Sequence, residues 1–406
     1  MSPLAQAFNF PSVVPRISSK FFEKSPNAQE SQQLLKLIAT EDCKFTPRQV
    51  DKPLVLYGAG NLGQMAKEYC DLLKIPIEFV VDSQAETIDK QGFWQGVKVV
   101  HPQTVSSTMK NSTLLAVCVV TSPYTELETN LRQNSWSDIV PFYDIAEFYC
   151  DRHPLSNGWF APPLTEEDIE KTNKVLNLWE DNISRAHHLQ FLAWRRLRTE
   201  WYFKDAPVTT HDRFFIPEII SVLHNQESFL DVGAHTGSVT RRFYEIVKGE
   251  FREIWAIEPD LINLSGLKAT ISILPNQDRE KIHIFNQVVG SRSSECNFYQ
   301  GLGYTSQCSP LGKVVLYKQT IDELDLSPTF IKLHLEGWEL DTLKGGINTI
   351  NKYRPIIVAT SYHNSLGIWE LPEWLMTQLT DYKFYIRVHS WCGTGAVIYC
   401  IPSERR

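Results

Sequence analysis

The sequence predicts an α/β protein made of two doubly wound units in tandem. Three observations predict it. Apolar runs of strand length alternate with segments of helical spacing, and they do so twice along the chain. Each series contains a strand running into a glycine-bearing turn, YGAGNLG at Tyr57–Gly63 and DVGAHTG at Asp231–Gly237. A Pro- and Gly-rich stretch, DRHPLSNGWFAPP, lies between the two series. The length of 406 residues is comfortable for two domains. The expected divisions are an N-terminal extension (1–52), a first α/β domain (53–150), a helical linker (151–211) and a second α/β domain (212–406).

Composition narrows the class. With 43% hydrophobic and 21% charged residues the chain reads as soluble and globular, and no apolar run is long enough to span a membrane. A formal net charge of -7 argues against nucleic acid as the main partner. The eight cysteines form no C-x-x-C pair, so a structural zinc site is not expected. Several sit in apolar runs as small hydrophobes, which suits a reducing, cytoplasmic setting. The N-terminus has no apolar h-region, so no signal peptide is expected.

The elements follow in order. Residues 1–52 are polar, with one helix expected over Ser31–Ala39 and no readable chemistry. LVLYGAG is a buried strand entering a turn. In NLGQMAKEYCDLLK, the apolar Leu62, Ala66, Tyr69 and Leu73 recur at helical spacing. IEFVVD is a second strand ending on Asp82, and LLAVCVV is a third. Strand, helix, strand in this order implies a parallel sheet with right-handed crossovers.

Past the linker, Thr165 with Glu166, Glu167 and Asp168 marks a helix start. Leu176, Trp179, Ile183 and Ala186 mark one apolar face, so one helical connector is expected from Thr165 to about Tyr202. Its Arg195, Arg196 and Arg198 read as a solvated face, or else as a phosphate contact. The second domain offers seven strands: SFLDVG, EIWAIEP, KIHIFNQ, FIKLHLE, PIIVATS, KFYIRVH and AVIYCI, the last two as a hairpin. Helices fit Ser238–Val247 and Leu340–Ile350, and segments 296–300 and 314–317 read as a small inserted hairpin.

The first glycine turn has G-x-G-x-x-G at Gly58, Gly60 and Gly63 after a strand, with Asp82 ending the next strand. That is the dinucleotide fingerprint of a Rossmann-like domain in its proper context. It suits NAD, a nucleotide-linked sugar, or a turn with no ligand. No Tyr-x-x-x-Lys or acid-paired His supplies a hydride-transfer residue.

The second glycine turn suits S-adenosylmethionine. That cofactor needs a tight backbone loop for its amino acid end, an acceptor for its ribose diol and an apolar slot for adenine. The loop residues Gly233, Ala234, His235 and Gly237 turn the chain sharply and open a helix whose free N–H groups favour a carboxylate. Asp231 is expected to hold the ligand's ammonium, directly or through water. Glu258, ending the next strand, is expected to take the ribose hydroxyls. Asn286, ending the third strand, is the candidate for adenine.

On these residues the chain resembles the FkbM family of methyltransferases. FLDVGAHTG, WAIEPD, VVLYKQTIDEL, FIKLHLEGWELDTLKGG, RPIIVATSYH and YKFYIRVHS…AVIYC follow the family in order and spacing over residues 212–401. The stretch to Gly346 resembles the family signature I-K-x-D-x-E-G-x-E-x-x-x-L-x-G. The resemblance implies a class I methyltransferase fold with a seven-stranded mixed sheet. It also implies S-adenosylmethionine-dependent methylation of a hydroxyl on a sugar, glycan or related natural product.

One position departs from the pattern: His334 stands where the family usually has Asp. His334 is a candidate general base, with an ordinary pKa near 6.5 suited to neutral pH, or a histidine packed at a strand end. Glu336 is a candidate hydroxyl acceptor or a helix-start acid. His363 is a second candidate base or a loop histidine. Trp338, Trp369 and Trp391 are candidates to stack on a sugar, or core residues. No metal ligand set and no second cofactor is assigned, and the oligomeric state is left open. Two other functions stay in view: a sugar-nucleotide-modifying or NAD-dependent enzyme using the first domain, and a non-catalytic binding protein.

Overall fold

The computed structural model describes residues 16–88, 92–155 and 158–405. The LVLY run forms the strand Leu54–Tyr57 at the centre of a five-stranded sheet. Its spatial order is Val99–Val100, Ile77–Val81, Leu54–Tyr57, Leu114–Val117 and Asp138–Pro141, with every neighbouring pair parallel. Leu54, Val55 and Leu56 are buried because helices or loops cover both faces. The helix Asn61–Leu73 buries Ala66, Tyr69 and Leu73, as their spacing predicts.

The sequence-predicted extension is in fact folded into the body. Its first 15 residues lie outside the described ones. Beyond them, the strand Ser19–Phe22 pairs in parallel with Glu200–Phe203. The helix Ala28–Thr40 brackets the expected Ser31–Ala39, held by a capping box between Asn27 and Glu30 and burying Leu35 and Ile38.

The connector differs from the single helix expected. Two helices form, Glu166–Leu178 and Asn182–Leu197, and the strand Glu200–Phe203 follows. The Thr165 cap holds, as a capping box with Asp168. Asp181 accepts from the Ser184 amide and starts the second helix. Every residue from Ser184 to Leu197 is buried, because this helix packs against the strand Tyr382–Val388 on one side and the helix Ala28–Thr40 on another.

The three arginines therefore do not form a solvated face. Arg195 donates to the carbonyls of Gly393 and Gly158, both at 2.7 Å, and to that of Tyr362. Arg196 donates to the Glu41 carbonyl, and Arg198 pairs with Asp144 at 2.9 Å. Their guanidinium groups are engaged within the fold, on backbone carbonyls and one buried carboxylate.

The second sheet has seven strands. In space they run Ile282–Phe285, Glu253–Ile257, Ser228–Val232, Phe330–Leu333, Ile356–Thr360, Ala396–Pro402 and Tyr382–Val388. The first five are parallel; Ala396–Pro402 runs antiparallel to both of its neighbours. A separate four-stranded sheet contains the expected hairpin, Ser294–Tyr299 against Val314–Gln319, flanked by Val288–Val289 and Gln307–Cys308. The helix expected over Leu340–Ile350 is two short ones, Glu339–Lys344 and Ile347–Tyr353. The break falls at Gly345, which packs so close that a Cβ there would lie 2.1 Å from the Gly290 carbonyl oxygen. Among the described residues no helix is long and apolar enough to cross a membrane.

Candidate active site

The C-terminal ends of the parallel strands converge on the DVGAHTG turn. The turn is tight because three residues take left-handed backbone, Gly233 at φ +75°, His235 at +50° and Gly237 at +83°. The amides of Gly233 and Ala234 donate to the Ile257 carbonyl at 3.0 and 2.9 Å, tying the turn to the next strand. A Cβ on Gly233 would lie 2.1 Å from the His334 carbonyl oxygen, so the turn also presses on the strand carrying His334.

Asp231 has partners inside the fold. It is fully buried, accepts from Thr240 Oγ1 at 2.7 Å and pairs with Lys332 Nζ at 2.8 Å. Lys332 is its register partner on the neighbouring strand and also donates to the Gly233 carbonyl at 2.7 Å. This internal ion pair braces the turn on which the ammonium contact is expected. Ala234 belongs to the core beneath the turn, and Gly237 starts the helix Ser238–Ile246.

Glu258 stands at the end of its strand as expected, with His235 N donating at 2.8 Å and Asp260 N at 2.9 Å. Burial raises its pKa. Each oxygen holds one backbone amide, and the Asn263 side chain also donates to the carboxylate. It lines a pocket with Gly233, His235, Gln287 and Trp338, whose apolar walls are Ile257, Val288, Val289 and Phe298. Asn286 is outside this pocket: it is exposed, and its amide donates to the carbonyls of Glu258 and Pro259. Adjacent residues of an extended chain face opposite sides, so Gln287 takes the inward place.

A loop closes over the pocket. Asp260 accepts from the Gly301 amide at 2.6 Å and Ser306 Oγ at 2.7 Å, and Asn263 donates to the Gly303 carbonyl. The loop sets Tyr304 on the His235 ring, centroids 4.2 Å apart and planes 16° from parallel.

A second, larger pocket meets the first at Tyr304, His334 and Glu336. Its walls include Arg213, Phe214, Tyr362 and His363 from the second series of elements, and Asn61, Leu62 and Met65 from the first. Trp159, stacked on Tyr143 at 3.8 Å, adds an aromatic wall. Of the three tryptophans singled out for stacking, Trp338 lines the first pocket and donates to the Cys308 carbonyl. Trp369 lies under the Lys171 ammonium and Trp391 beside Tyr202, away from both pockets.

Glu336 sits between two histidines, its Oε1 3.3 Å from His334 Nε2 and 3.2 Å from His363 Nε2. It holds left-handed backbone, φ +53°. His363 Nδ1 lies 3.0 Å from Glu339 Oε1. Glu339 also accepts from Thr360 Oγ1 at 2.6 Å and from the Leu335 and Gly337 amides at 2.9 Å. His334 Nδ1 lies 3.4 Å from Arg213 Nη2, and Tyr362 Oη is 3.3 Å from its Nε2.

These surroundings set the two histidines apart. Burial drives the His334 pKa from 6.5 down to about 3, and the neighbouring Glu336 does not offset it, so His334 is no base of ordinary strength. His363 is buried, not a loop-surface residue; burial opposes its charge, yet Glu336 and Glu339 raise its pKa well above 6.5. Its two carboxylate neighbours favour the charged ring. The two histidines in turn pull Glu336 far below the ordinary carboxylate range against its burial.

The first glycine turn is built differently. Gly58 takes φ +99°, and a Cβ on Gly63 would lie 2.0 Å from the Gly58 carbonyl oxygen, so helix and turn touch there. Nothing lies within 4 Å of a Cβ on Gly60. Asp82 closes on the turn itself, accepting from the amides of Ala59 and Gln84 at 2.8 Å.

Sequence reasoning missed Lys332, Gln287, Tyr304, Glu339 and Arg213. A lysine inside the apolar strand FIKL was a readable sign of a buried partner. Tyr304 and Arg213 sit in irregular segments with no periodicity to place them.

The second sheet thus ends in an antiparallel pair, and a glycine turn and a strand-end acid line the pocket at the ends of its parallel strands. The chain carries an FkbM methyltransferase domain: residues 231–384 match the family model described as "Methyltransferase FkbM domain". The crystal structure of methyltransferase FkbM from Methylobacillus flagellatus KT shares the fold, with a TM-score of 0.59 and 16% identity over 93% of this chain and 94% of that one. The precorrin-6y C5,15-methyltransferase of Geobacter metallireducens GS-15 aligns with 49% of this chain and 96% of its own at 13% identity, with a TM-score of 0.29. No curated protein matches the chain.

Proposed function

We propose that this enzyme transfers the methyl group of S-adenosylmethionine to a hydroxyl on a sugar, glycan or related natural product. The observation that carries the reading is the meeting of two pockets at His334 and Glu336. The first pocket fits the methyl donor: Glu258 on its wall suits a ribose diol, and the apolar walls with Gln287 suit adenine. The second fits a polar acceptor with a ring face for Trp159 or Tyr143.

When bound, the donor supplies a methyl carbon made electrophilic by its positive sulfur. The residues do the rest by placement. Tyr304 over His235 and the loop pinned by Asp260 exclude water, and Gly233 keeps the donor turn close to His334. The acceptor hydroxyl is oriented by Glu336 and His334. As the donor's C–S bond gave way to the new O–C bond, Glu336 beside the acceptor oxygen would take the released hydroxyl proton, a transfer that needs no strong base.

Asn61, Leu62 and Met65 on the wall of the second pocket favour a particular use for the first glycine turn. We read 53–150 as the acceptor-side unit, suited to a nucleotide-linked sugar, and 212–406 as the donor-side unit. Neither NAD chemistry nor a non-catalytic role has a residue here that favours it.

Calorimetry with S-adenosylmethionine tests the donor reading. Binding to the native protein, weakened about tenfold or more in Glu258→Ala as a charge-assisted pair of hydrogen bonds is lost, supports it. No binding to the native protein rejects it.

A further inference from the structure

We propose that His334, Glu336 and His363 form a binding site for one divalent transition-metal ion at the junction of the two pockets. The proposal goes beyond the methyl-donor reading and does not depend on it. One atom from each of the three residues can be chosen so that all lie within 4.8 Å of one another. Two of the separations are 3.3 Å and 3.2 Å, from Glu336 Oε1 to the two histidine Nε2 atoms. Metal–ligand bonds of about 2.0–2.2 Å place neighbouring donors about 3.3 Å apart around a tetrahedral ion. The near-parallel imidazoles, 18° between planes and 5.0 Å between centroids, flank the carboxylate from two sides.

The outer contacts are those a metal site needs. His363 meets Glu339 through Nδ1, leaving Nε2 to face inward. Glu339 is itself fixed by Thr360 and by the Leu335 and Gly337 amides. A carboxylate behind a ligating histidine sets its tautomer and its aim. Binding the ion displaces the His363 Nε2 proton to solvent, which leaves both imidazoles neutral, and Glu336 and Glu339 together balance the two positive charges. His334 binds through Nε2, with Nδ1 carrying the proton, an arrangement that requires Arg213 Nη2, now 3.4 Å from Nδ1, to move aside.

The donor set selects the ion. Two imidazole nitrogens and one carboxylate oxygen suit Zn²⁺, Co²⁺, Fe²⁺ or Mn²⁺ over Mg²⁺ or Ca²⁺, which favour oxygen-only shells. His334 supplies one of the two nitrogens, so the residue that departs from the family pattern creates the set. Three protein ligands leave an open position, and both pockets border His334 and Glu336.

The test uses the full chain, stripped with chelator and titrated with CoCl₂ while the visible absorption of bound Co²⁺ is followed, then with ZnCl₂ in competition. One Co²⁺ per chain with a tetrahedral or five-coordinate spectrum, displaced by Zn²⁺, is expected. His334→Ala and Glu336→Gln, each checked for native circular dichroism, should abolish it. Glu339→Gln should weaken it by about 10–100-fold as a positioning residue. His283→Ala, which removes an exposed histidine paired with Glu253, should leave it unchanged. No stoichiometric binding, or binding that survives in both His334→Ala and Glu336→Gln, overturns the proposal. Calorimetry with S-adenosylmethionine on the stripped protein keeps failure of the donor reading distinct from failure of this one.

Discussion

Asp231, which reads as a ligand contact, forms with Lys332 an ion pair closed off from water, 2.8 Å apart on adjacent strands. Buried pairs of this kind contribute little over an apolar pair, but breaking one strands a charge. Lys332→Met should therefore destabilise the protein by about 3–5 kcal/mol in urea unfolding, because Asp231 keeps its charge with no partner. Asp231→Leu combined with Lys332→Met should recover most of that loss. If the double variant is as unstable as the single one, the pair does more than neutralise itself. Glu258 shows the complementary case. Its donors are neutral amides, so its cost of burial is tied to a pocket and not to a partner charge.

Elements are set by close backbone approaches as much as by propensity. The three glycines of the first turn have three different jobs. Gly63 is needed for contact with the Gly58 carbonyl, whereas Gly60 has φ -73° and open space where a Cβ would go. Gly63→Ala should cost about 1–3 kcal/mol through overpacking. Gly60→Ala should be neutral or stabilising by about 0.4–1 kcal/mol, since alanine takes that backbone without strain and restricts the unfolded chain. Thermal or urea melts of the two variants check this, and equal destabilisation would contradict it. The same logic explains the split helix after Trp338: periodicity runs through Leu340–Ile350, but Gly345 must touch Gly290, and the helix breaks there.

The whole molecule is joined through the buried helix Asn182–Leu197. His187 and His188 on it are both held neutral. Val388 N donates to His187 Nδ1 at 3.2 Å and Trp179 Nε1 to His188 Nδ1 at 3.1 Å. Each Nε2 then faces a carbonyl, Ala206 at 3.1 Å and Ile368 at 2.6 Å. Burial lowers their pKa values from 6.5 to about 3 and about 4. Above pH 6.5 folded and unfolded chains are both neutral at these sites, so they add no pH dependence. Below it only the unfolded chain takes up the protons, and stability falls as pH drops toward 4, by at most about 1.4 kcal/mol per pH unit for each ring. The urea midpoint should decline over that window, and less steeply in His187→Asn/His188→Asn. An equal slope in the variant would mean these rings do not control it.

Local pattern by itself determined the α/β class, the positions along the chain of the seven strands of the second sheet, and both glycine turns, because strand alternation and turn glycines are written in short stretches of chain. Thr165 as a cap was legible for the same reason. What only the tertiary structure decided depends on neighbours far apart in sequence. Arg195 reads as a surface arginine until carbonyls of Gly158, Tyr362 and Gly393 close around it. The strand Ser19–Phe22 has no meaning without Glu200–Phe203 beside it. His334 and His363 read as bases of ordinary strength. Burial and a shared carboxylate make one neutral, favour charge on the other, and bring both to Glu336. Composition carries the residue types, but desolvation and charge proximity exist only once the chain is packed.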